Sequence, residues 1–92
     1  MKLNPGAIAE FSAYFYSAEE RIRSFEGCIS VQLFRDAEDI NTVMTLSEWV
    51  SEKALEHYRA SEIFLETWRK VKPLFRDKAE AWSMVSVSPI SI

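Results

Sequence analysis

The sequence predicts an α+β fold with an antiparallel sheet, in the ferredoxin-like split βαβ arrangement. Two observations predict it. Apolar residues recur first at steps of three and four, then at steps of two, then again at helical spacing, which gives the order helix, strand, strand, helix, strand. The chain has only 92 residues, of which 48% are apolar, and just two glycines. We therefore treat residues 1–92 as one domain with a single core.

The first helix is predicted to begin at Asn4 as N-cap, with Pro5 in the first turn, where its missing N–H costs nothing. Gly27 supplies the flexible exit typical of a helix end. A strand before this helix would complete the split unit, but only residues 1–3 are available for it. Either that strand is very short or the native chain begins upstream of Met1, and we favour the second interpretation. The apolar stripe of the helix comprises Ile8, Phe11, Phe15, Ala18, Ile22 and Phe25.

Two strands follow, because side chains alternate between apolar and polar from Cys28 to Arg35 and again over residues 41–50. The acidic stretch 36–39 between them is turn material, so the strands are predicted to pair as an antiparallel hairpin. The sheet face away from the helices is not simply polar, and a second copy of the chain is its simplest cover. We therefore expect a homodimer. The apolar residues expected on this face are Phe34 and Cys28, with either Met44 and Leu46 or Trp82 and Met84.

The second half of the chain predicts a broken helical region and a last strand. Ser51 is a good N-cap for a helix starting at about residue 52, and Ser61 is an N-cap for a further helix that Pro73 disturbs near its end. Alternation over residues 81–87 predicts the final strand.

Charge and composition exclude several classes of function. The net charge of −3 lacks the basic surface that binding to a nucleic acid backbone requires. The single cysteine, Cys28, excludes an intrachain disulfide, and no window approaches the roughly 20 apolar residues that span a bilayer. We expect a cytoplasmic protein with no nucleic acid or membrane partner. The twelve aromatic residues supply buried area and suit the lining of a pocket for a flat apolar ligand.

Four short motifs between Phe11 and Trp82 carry a family resemblance. They are the residues 25–28, 33–36, 48–55 and 57–64, which read FEGC, LFRD, EWVSEKAL and HYRASEIF. In this order they resemble the antibiotic biosynthesis monooxygenase domain family. The resemblance implies a dimeric α+β barrel with a pocket between the sheet and the helices of each subunit. Members include cofactor-independent oxygenases of polyketide anthrones or quinols, haem-degrading enzymes and enzymes that handle small signalling molecules.

Comparison with the branches of this family narrows the function. Trp68 stands where the haem-degrading branch has its axial histidine, and an indole N–H is a donor only, so haem degradation is disfavoured. Tyr58 occupies the position at which the haem-degrading branch has a tryptophan in its pocket. Trp49 matches the strand-end tryptophan of the anthrone-oxidising branch and Arg69 matches an arginine. The asparagine and tyrosine of that branch correspond to Thr45 and Leu55, and a second histidine found in many members corresponds to Ile63.

The sequence therefore predicts a cofactor-independent monooxygenase acting on a small aromatic or quinol-type substrate. Such chemistry needs a carbanion or enolate of the substrate, which reduces O2 without a metal or flavin. His57, the only histidine, and Tyr58 are the candidate proton handlers, although we favour for His57 the simpler interpretation of a surface or half-buried helical histidine without a catalytic role. No bound cofactor is expected. A non-catalytic homodimeric domain that binds a small ligand is the alternative function, and a purely structural role is a third. The candidate substrate-binding residues are Trp49, Phe64, Trp68, Trp82 and Arg69.

Overall fold

The structure, a computed structural model, describes residues 1–85 and consists of helices packed on one side of an antiparallel sheet. The α+β prediction is thereby confirmed. The elements in chain order are α1 (Ile8–Arg23), β1 (Cys28–Arg35), β2 (Val43–Trp49), α2 (Glu52–Arg59), α3 (Glu62–Val71) and a 3₁₀ turn (Lys72–Leu74).

The strands β1 and β2 form the predicted hairpin, with Phe34 opposite Met44. Carboxylates close its loop: Asp36 Oδ1 accepts the backbone N–H groups of Glu38 and Asp39 at 2.8 and 3.0 Å. The regular pairing shifts between Cys28 and Ser30, which marks a bulge at the start of β1. A bulge adds one unpaired residue and so breaks the alternation of faces at that point.

The N-terminal residues supply the short first strand as single antiparallel bridges. The Met1 ammonium donates to Val43 O at 2.9 Å, Lys2 pairs with Thr42, and Leu3 pairs with Phe75. The order across the sheet is thus β1, β2, residues 1–3 and then Phe75. This order places the two halves of the split unit side by side.

The predicted helix start at Asn4 is wrong. Helix α1 begins at Ile8 with Ala7 in the N-cap position and no side-chain cap. Asn4 is held next to the Leu3–Phe75 bridge, because its N–H donates to Leu74 O at 2.7 Å. Gly6 then adopts φ +81°, a left-handed conformation that cannot continue into a right-handed helix. The helix therefore starts one turn later than the Asn-Pro pair suggests.

The predicted last strand is absent from residues 81–85, which form neither strand nor helix, and the rest of that prediction lies outside the described residues. Alternation makes a strand only where a neighbouring strand pairs with it, and within residues 1–85 this segment has no such partner. Trp82, Met84 and Val85 are accordingly 71, 84 and 89% exposed.

The core lies between the helices and the inner face of the sheet. Helix α1 packs on both β1 and α3. None of the helices within residues 1–85 is long and apolar enough to cross a membrane. The buried residues are Leu3, Ala7, Phe11, Phe15, Ala18, Ile22, Val31, Val43, Tyr58 and Val71.

The outer sheet face carries apolar side chains, as predicted. On this face Phe34 lies opposite Met44, and Leu46 lies opposite Gln32. The side chains of Phe34, Met44 and Leu46 are 46 to 60% exposed. We call Phe34, Met44 and Leu46 the outer apolar patch. The placement of Cys28 on this face is wrong, because the bulge turns Cys28 toward the core, where it is half-buried.

Candidate functional site

A continuous row of aromatic rings runs through the molecule from the end of α1 to the 3₁₀ turn. Neighbouring ring centroids lie 4.9 to 6.5 Å apart, the range in which aromatic rings interact favourably. Helical spacing places the rings of α2 and α3 on inward faces, and alternation places that of β2 at the strand end. We call this row the aromatic cluster; its members are Phe25, Trp49, Tyr58, Phe64, Trp68 and Phe75.

Trp49 and Tyr58 form the centre of the aromatic cluster. Their rings stack with centroids 4.9 Å apart and an interplanar angle of 27°. The indole N–H of Trp49 donates to Ser47 Oγ at 2.9 Å, which fixes the ring at the end of β2. Phe25 and Phe64 each meet the Tyr58 ring edge-on, at 5.4 and 5.3 Å. The Tyr58 ring is therefore held on three sides.

Burial raises the pKa of Tyr58 to about 12, and the neighbouring Cys28 thiol adds to this shift through its charge when ionised. Only 9% of the residue is exposed. Burial removes part of the hydration that the phenolate would need, so the anionic form is disfavoured. At neutral pH Tyr58 keeps its proton and is a hydrogen-bond donor, not a base.

His57 lies at the edge of the aromatic cluster. It follows Glu56 on the exposed side of α2, and its ring meets Phe25 edge-on at 5.5 Å. Adjacent helical residues point about 100° apart, so burial of Tyr58 directs His57 outward. The two predicted proton handlers thus both touch Phe25, one from the solvent side and one from the core.

The surface formed by residues 1–85 includes a larger and a smaller cavity, and the larger one is lined by a predicted site residue. The larger, of about 340 Å³, lies against Trp68 and Phe75. The smaller, of about 230 Å³, lies between α1 and the sheet and includes Tyr16 and Phe34. Neither is lined by Trp49, Tyr58 or His57. The region expected to be a hollow between sheet and helices is filled at its centre by the Trp49–Tyr58 stack.

The structure brings together some of the predicted site residues and separates others. Phe64 lies between Tyr58 and Trp68, which joins Trp49 to Trp68 through three ring contacts. Arg69 is exposed on α3 and does not line the larger cavity, and Trp82 is exposed in the segment after the 3₁₀ turn. The roles proposed for these side chains stay predictions.

Phe75 and Lys72 were not among the predicted site residues, yet both line the larger cavity. Lys72 is four residues after Trp68, which places it on the same helical face, and Phe75 follows by one more turn. This spacing was available in the sequence. It predicts Phe75 on the apolar stripe of the helix, whereas Lys72 belongs to a basic run that is typical of a solvated helix face.

The Cys28 thiol lies beneath the same cluster and is not activated. Burial raises its pKa, while the positive charge of the nearby Arg23 and the backbone of Ser30 lower it and only partly offset the effect. A thiol with a raised pKa is a poor nucleophile. Cys28 therefore acts as a small half-buried side chain.

A family model described as antibiotic biosynthesis monooxygenase matches residues 1–70. The chain belongs to this family. The match spans the hairpin, α1, α2 and nearly all of α3, and so includes Trp49, Tyr58 and Trp68 of the aromatic cluster. Domains of the family are commonly dimeric. None of the curated proteins matches the sequence.

Solved structures support the same fold. A crystal structure of an antibiotic biosynthesis monooxygenase has a TM-score of 0.86 at 23% identity, covering 95% of this chain and 92% of its own. A proposed antibiotic biosynthesis monooxygenase from Bordetella bronchiseptica has a TM-score of 0.85 at 22% identity, covering 96% and 91%. A conserved protein from Methanosarcina mazei has a TM-score of 0.81 at 24% identity, covering 86% and 78%. At these identities the likeness concerns the fold.

Proposed function

We propose that this protein is a monooxygenase-type oxidoreductase that acts on a small, flat, electron-rich aromatic compound of the quinol or anthrone type. The observation that carries the proposal is the Trp49–Tyr58 stack, which Phe25 connects to the His57 ring, in a chain of the antibiotic biosynthesis monooxygenase family. Aromatic walls favour a planar ligand, because offset stacking adds to the gain from burying apolar surface.

In the proposed reaction, an activated methylene group of the substrate reacts with one molecule of dioxygen. The products are a carbonyl group at that carbon and one molecule of water. Removal of one methylene proton gives a carbanion or enolate, which passes an electron to dioxygen. The resulting radicals combine to a carbon-bound peroxide, and loss of water leaves the new carbonyl. One oxygen atom enters the product and the other leaves as water with both methylene hydrogens. The four electrons that dioxygen accepts all come from the substrate, so no bound cofactor is needed in this scheme.

The proton-handling roles divide according to charge. Tyr58, with its pKa near 12, is neutral and suited to donate a hydrogen bond to the enolate oxygen, which stabilises negative charge as it develops. A base must then come from elsewhere, and His57 is the only imidazole in the chain. Trp49, Phe64, Trp68 and Trp82 are proposed to provide the substrate walls and Arg69 a polar contact.

The assay for this function is oxygen consumption with a panel of anthrones and quinols, using labelled dioxygen to follow incorporation into the product. We expect one labelled oxygen atom per product and a large loss of rate in His57→Ala. Glu56→Ala, on the neighbouring exposed position, is the matched control and is expected to keep the wild-type rate. Release of hydrogen peroxide without incorporation would mean simple quinol oxidation and would contradict the oxygenase reaction.

We also propose that the protein is a homodimer joined through the outer apolar patch. Phe34, Met44 and Leu46 form adjacent cross-strand neighbours that water covers poorly, and a two-fold axis would bury the same patch on both subunits. Leu46→Glu is expected to give a monomer in sedimentation, while Lys53→Glu on exposed α2 leaves the dimer intact. A wild-type protein that sediments as a 10.7 kDa species at micromolar concentration contradicts the proposal.

A non-catalytic homodimeric domain that binds a small ligand is the second candidate. It is favoured by the placement of His57, which lines neither of the two surface cavities. Under this function a quinol or anthrone binds, but oxygen is not consumed and His57→Ala changes nothing measurable. The oxygen assay therefore separates the two functions directly.

A further inference from the structure

The larger cavity combines an aromatic floor with charged walls. Trp68 and Phe75 provide the floor, their ring centroids 5.3 Å apart at an angle of 62°. Lys72, at the end of α3, and Lys78, in the irregular segment beyond the 3₁₀ turn, line the same space. The remaining lining residues are Asp77 and Ala79.

The charge balance of this cavity favours an anion. Its lining residues include two ammonium groups, of Lys72 and Lys78, and one carboxylate, of Asp77. None of the three forms an ion pair with any residue in the described range 1–85. The neighbouring Lys70 differs, because its ammonium contacts Glu66 at 3.4 Å and it does not line the cavity. The protein as a whole has a net charge of −3, so this concentration of positive charge is local.

The size and floor of the cavity favour a planar ring system. Its volume of about 340 Å³ lies at the lower end of the range for small-molecule sites, which is roughly 300–1,000 Å³. Half-buried Trp68 and Phe75 present apolar surface that a flat ligand would cover. The ring contact between Phe64 and Trp68 then continues this floor toward Tyr58.

We propose that this cavity binds a flat aromatic anion, with its rings against Trp68 and Phe75 and its carboxylate or phenolate within reach of Lys72 and Lys78. This inference does not rest on the proposed function, because neither His57 nor Tyr58 lines this cavity. Binding itself is measured without turnover, so the two proposals fail separately.

The probe is 1-hydroxy-2-naphthoate, and the neutral 1-hydroxy-2-naphthamide is its matched control. Binding is followed by NMR from the indole N–H signals of the full-length protein, assigned with single Trp→Phe variants. We expect the naphthoate to shift the Trp68 signal first and to bind more tightly than the amide. Added salt is expected to narrow this difference, because it screens exposed charges.

Charge variants test which side chains are responsible. Lys72→Gln and Lys78→Gln are each expected to weaken naphthoate binding by about two- to fivefold, the scale of one partly exposed ionic contact. Asp77→Asn is expected to tighten it by a similar factor. Lys70→Gln, a charge change next to the cavity but outside it, is expected to leave Kd unchanged. All four positions are exposed, and thermal melts check that the variants remain folded.

Several results overturn the inference. Equal affinity for naphthoate and naphthamide excludes a role for the anionic group. If Lys70→Gln raises the Kd for naphthoate as much as Lys72→Gln does, the anion responds to nonspecific surface charge and not to the side chains of the cavity. A shift of Trp49 with no shift of Trp68 places the ligand elsewhere. If naphthoate binds at Trp68 but no quinol or anthrone supports oxygen uptake, this inference stands and the proposed oxygenase function does not.

Discussion

The contact between Gly27 and α2 gives the sharpest test of the packing. Gly27 has φ +88°, and a Cβ atom added there would lie 2.5 Å from Ala54 Cβ and 3.3 Å from Val50 Cγ2. Its carbonyl accepts the N–H of Val50 at 2.8 Å, so the turn cannot easily move away from the strand end. Gly27→Ala therefore meets both an unfavourable backbone conformation and a steric overlap.

The expected cost follows from these two effects. A side chain in the left-handed region costs about 1–2 kcal/mol, and overpacking of a filled site costs about 1–3 kcal/mol. Alanine also has less conformational freedom than glycine in the unfolded chain, which raises the free energy of unfolding by about 0.4–1 kcal/mol and partly offsets these costs. We expect Gly27→Ala to lower the free energy of unfolding by about 2–4 kcal/mol. For a domain of this size, that corresponds to a fall in Tm of roughly 10–25 °C.

Gly6→Ala is the matched control, measured by thermal and urea unfolding. Gly6 also has a positive φ, of 81°, but a Cβ there meets nothing within 4 Å. Its variant is expected to lose only about 1 kcal/mol, from the backbone effect alone. Ala54→Gly in the Gly27→Ala background should recover part of the loss, which a double-mutant cycle reports as coupling. Equal losses for Gly27→Ala and Gly6→Ala, with no coupling to Ala54, would refute the close-approach argument.

Other predictions concern ionisation, capping and the core. Because the pKa of Tyr58 is raised in the folded state, its contribution to the free energy of unfolding is full below about pH 10 and is lost as the pH rises toward 12. In an ultraviolet titration, the Tyr58→Phe variant should lack the tyrosine ionisation step that the wild-type protein shows near pH 12. A step near pH 12 that persists in the variant would contradict the assignment to Tyr58. Ser51→Ala and Ser61→Ala each remove an N-cap hydrogen bond and should cost about 1 kcal/mol in urea unfolding, whereas unchanged stability would mean that water replaces the caps. Leu3→Ala should cost about 2–5 kcal/mol, because Leu3 is fully buried, and a loss below about 1 kcal/mol would show that the site collapses around the smaller side chain.

The periodic parts of the fold could be predicted from the sequence, because the repeat of apolar residues or an N-cap serine decides each of them. Strand β1 has the predicted bounds, and α2 and α3 begin after the predicted caps Ser51 and Ser61. The start of α1 could not be predicted locally. The Asn4 N–H is bound by Leu74 O, far away in the chain, and this tertiary contact overrides the helix signal of the Asn-Pro pair.

The candidate site was predictable in its residue types but not in its geometry. Periodicity placed Trp49, Tyr58, Phe64 and Trp68 at inward positions as candidate pocket residues, and in the structure their rings contact one another in a row. Periodicity describes which face a side chain occupies, and it does not say whether neighbouring rings leave a space or fill it. The Trp49–Tyr58 stack and the cavity at Trp68 both depend on how separate elements approach one another. Such approach distances arise only from tertiary packing.

The bridge between Leu3 and Phe75 has a consequence for the order of folding. The hairpin is local, and its loop closes through its own carboxylates, so its hydrogen bonds form at little cost in chain entropy. The bond from Arg76 N–H to Lys2 O closes a loop that contains both strands and all three α-helices, so it requires the elements between these two residues to be in place. Loop closure over that separation is slow relative to hairpin formation. In pulse-labelling hydrogen exchange, the amide of Arg76 should therefore acquire protection after those of β1, and it reports completion of the whole domain.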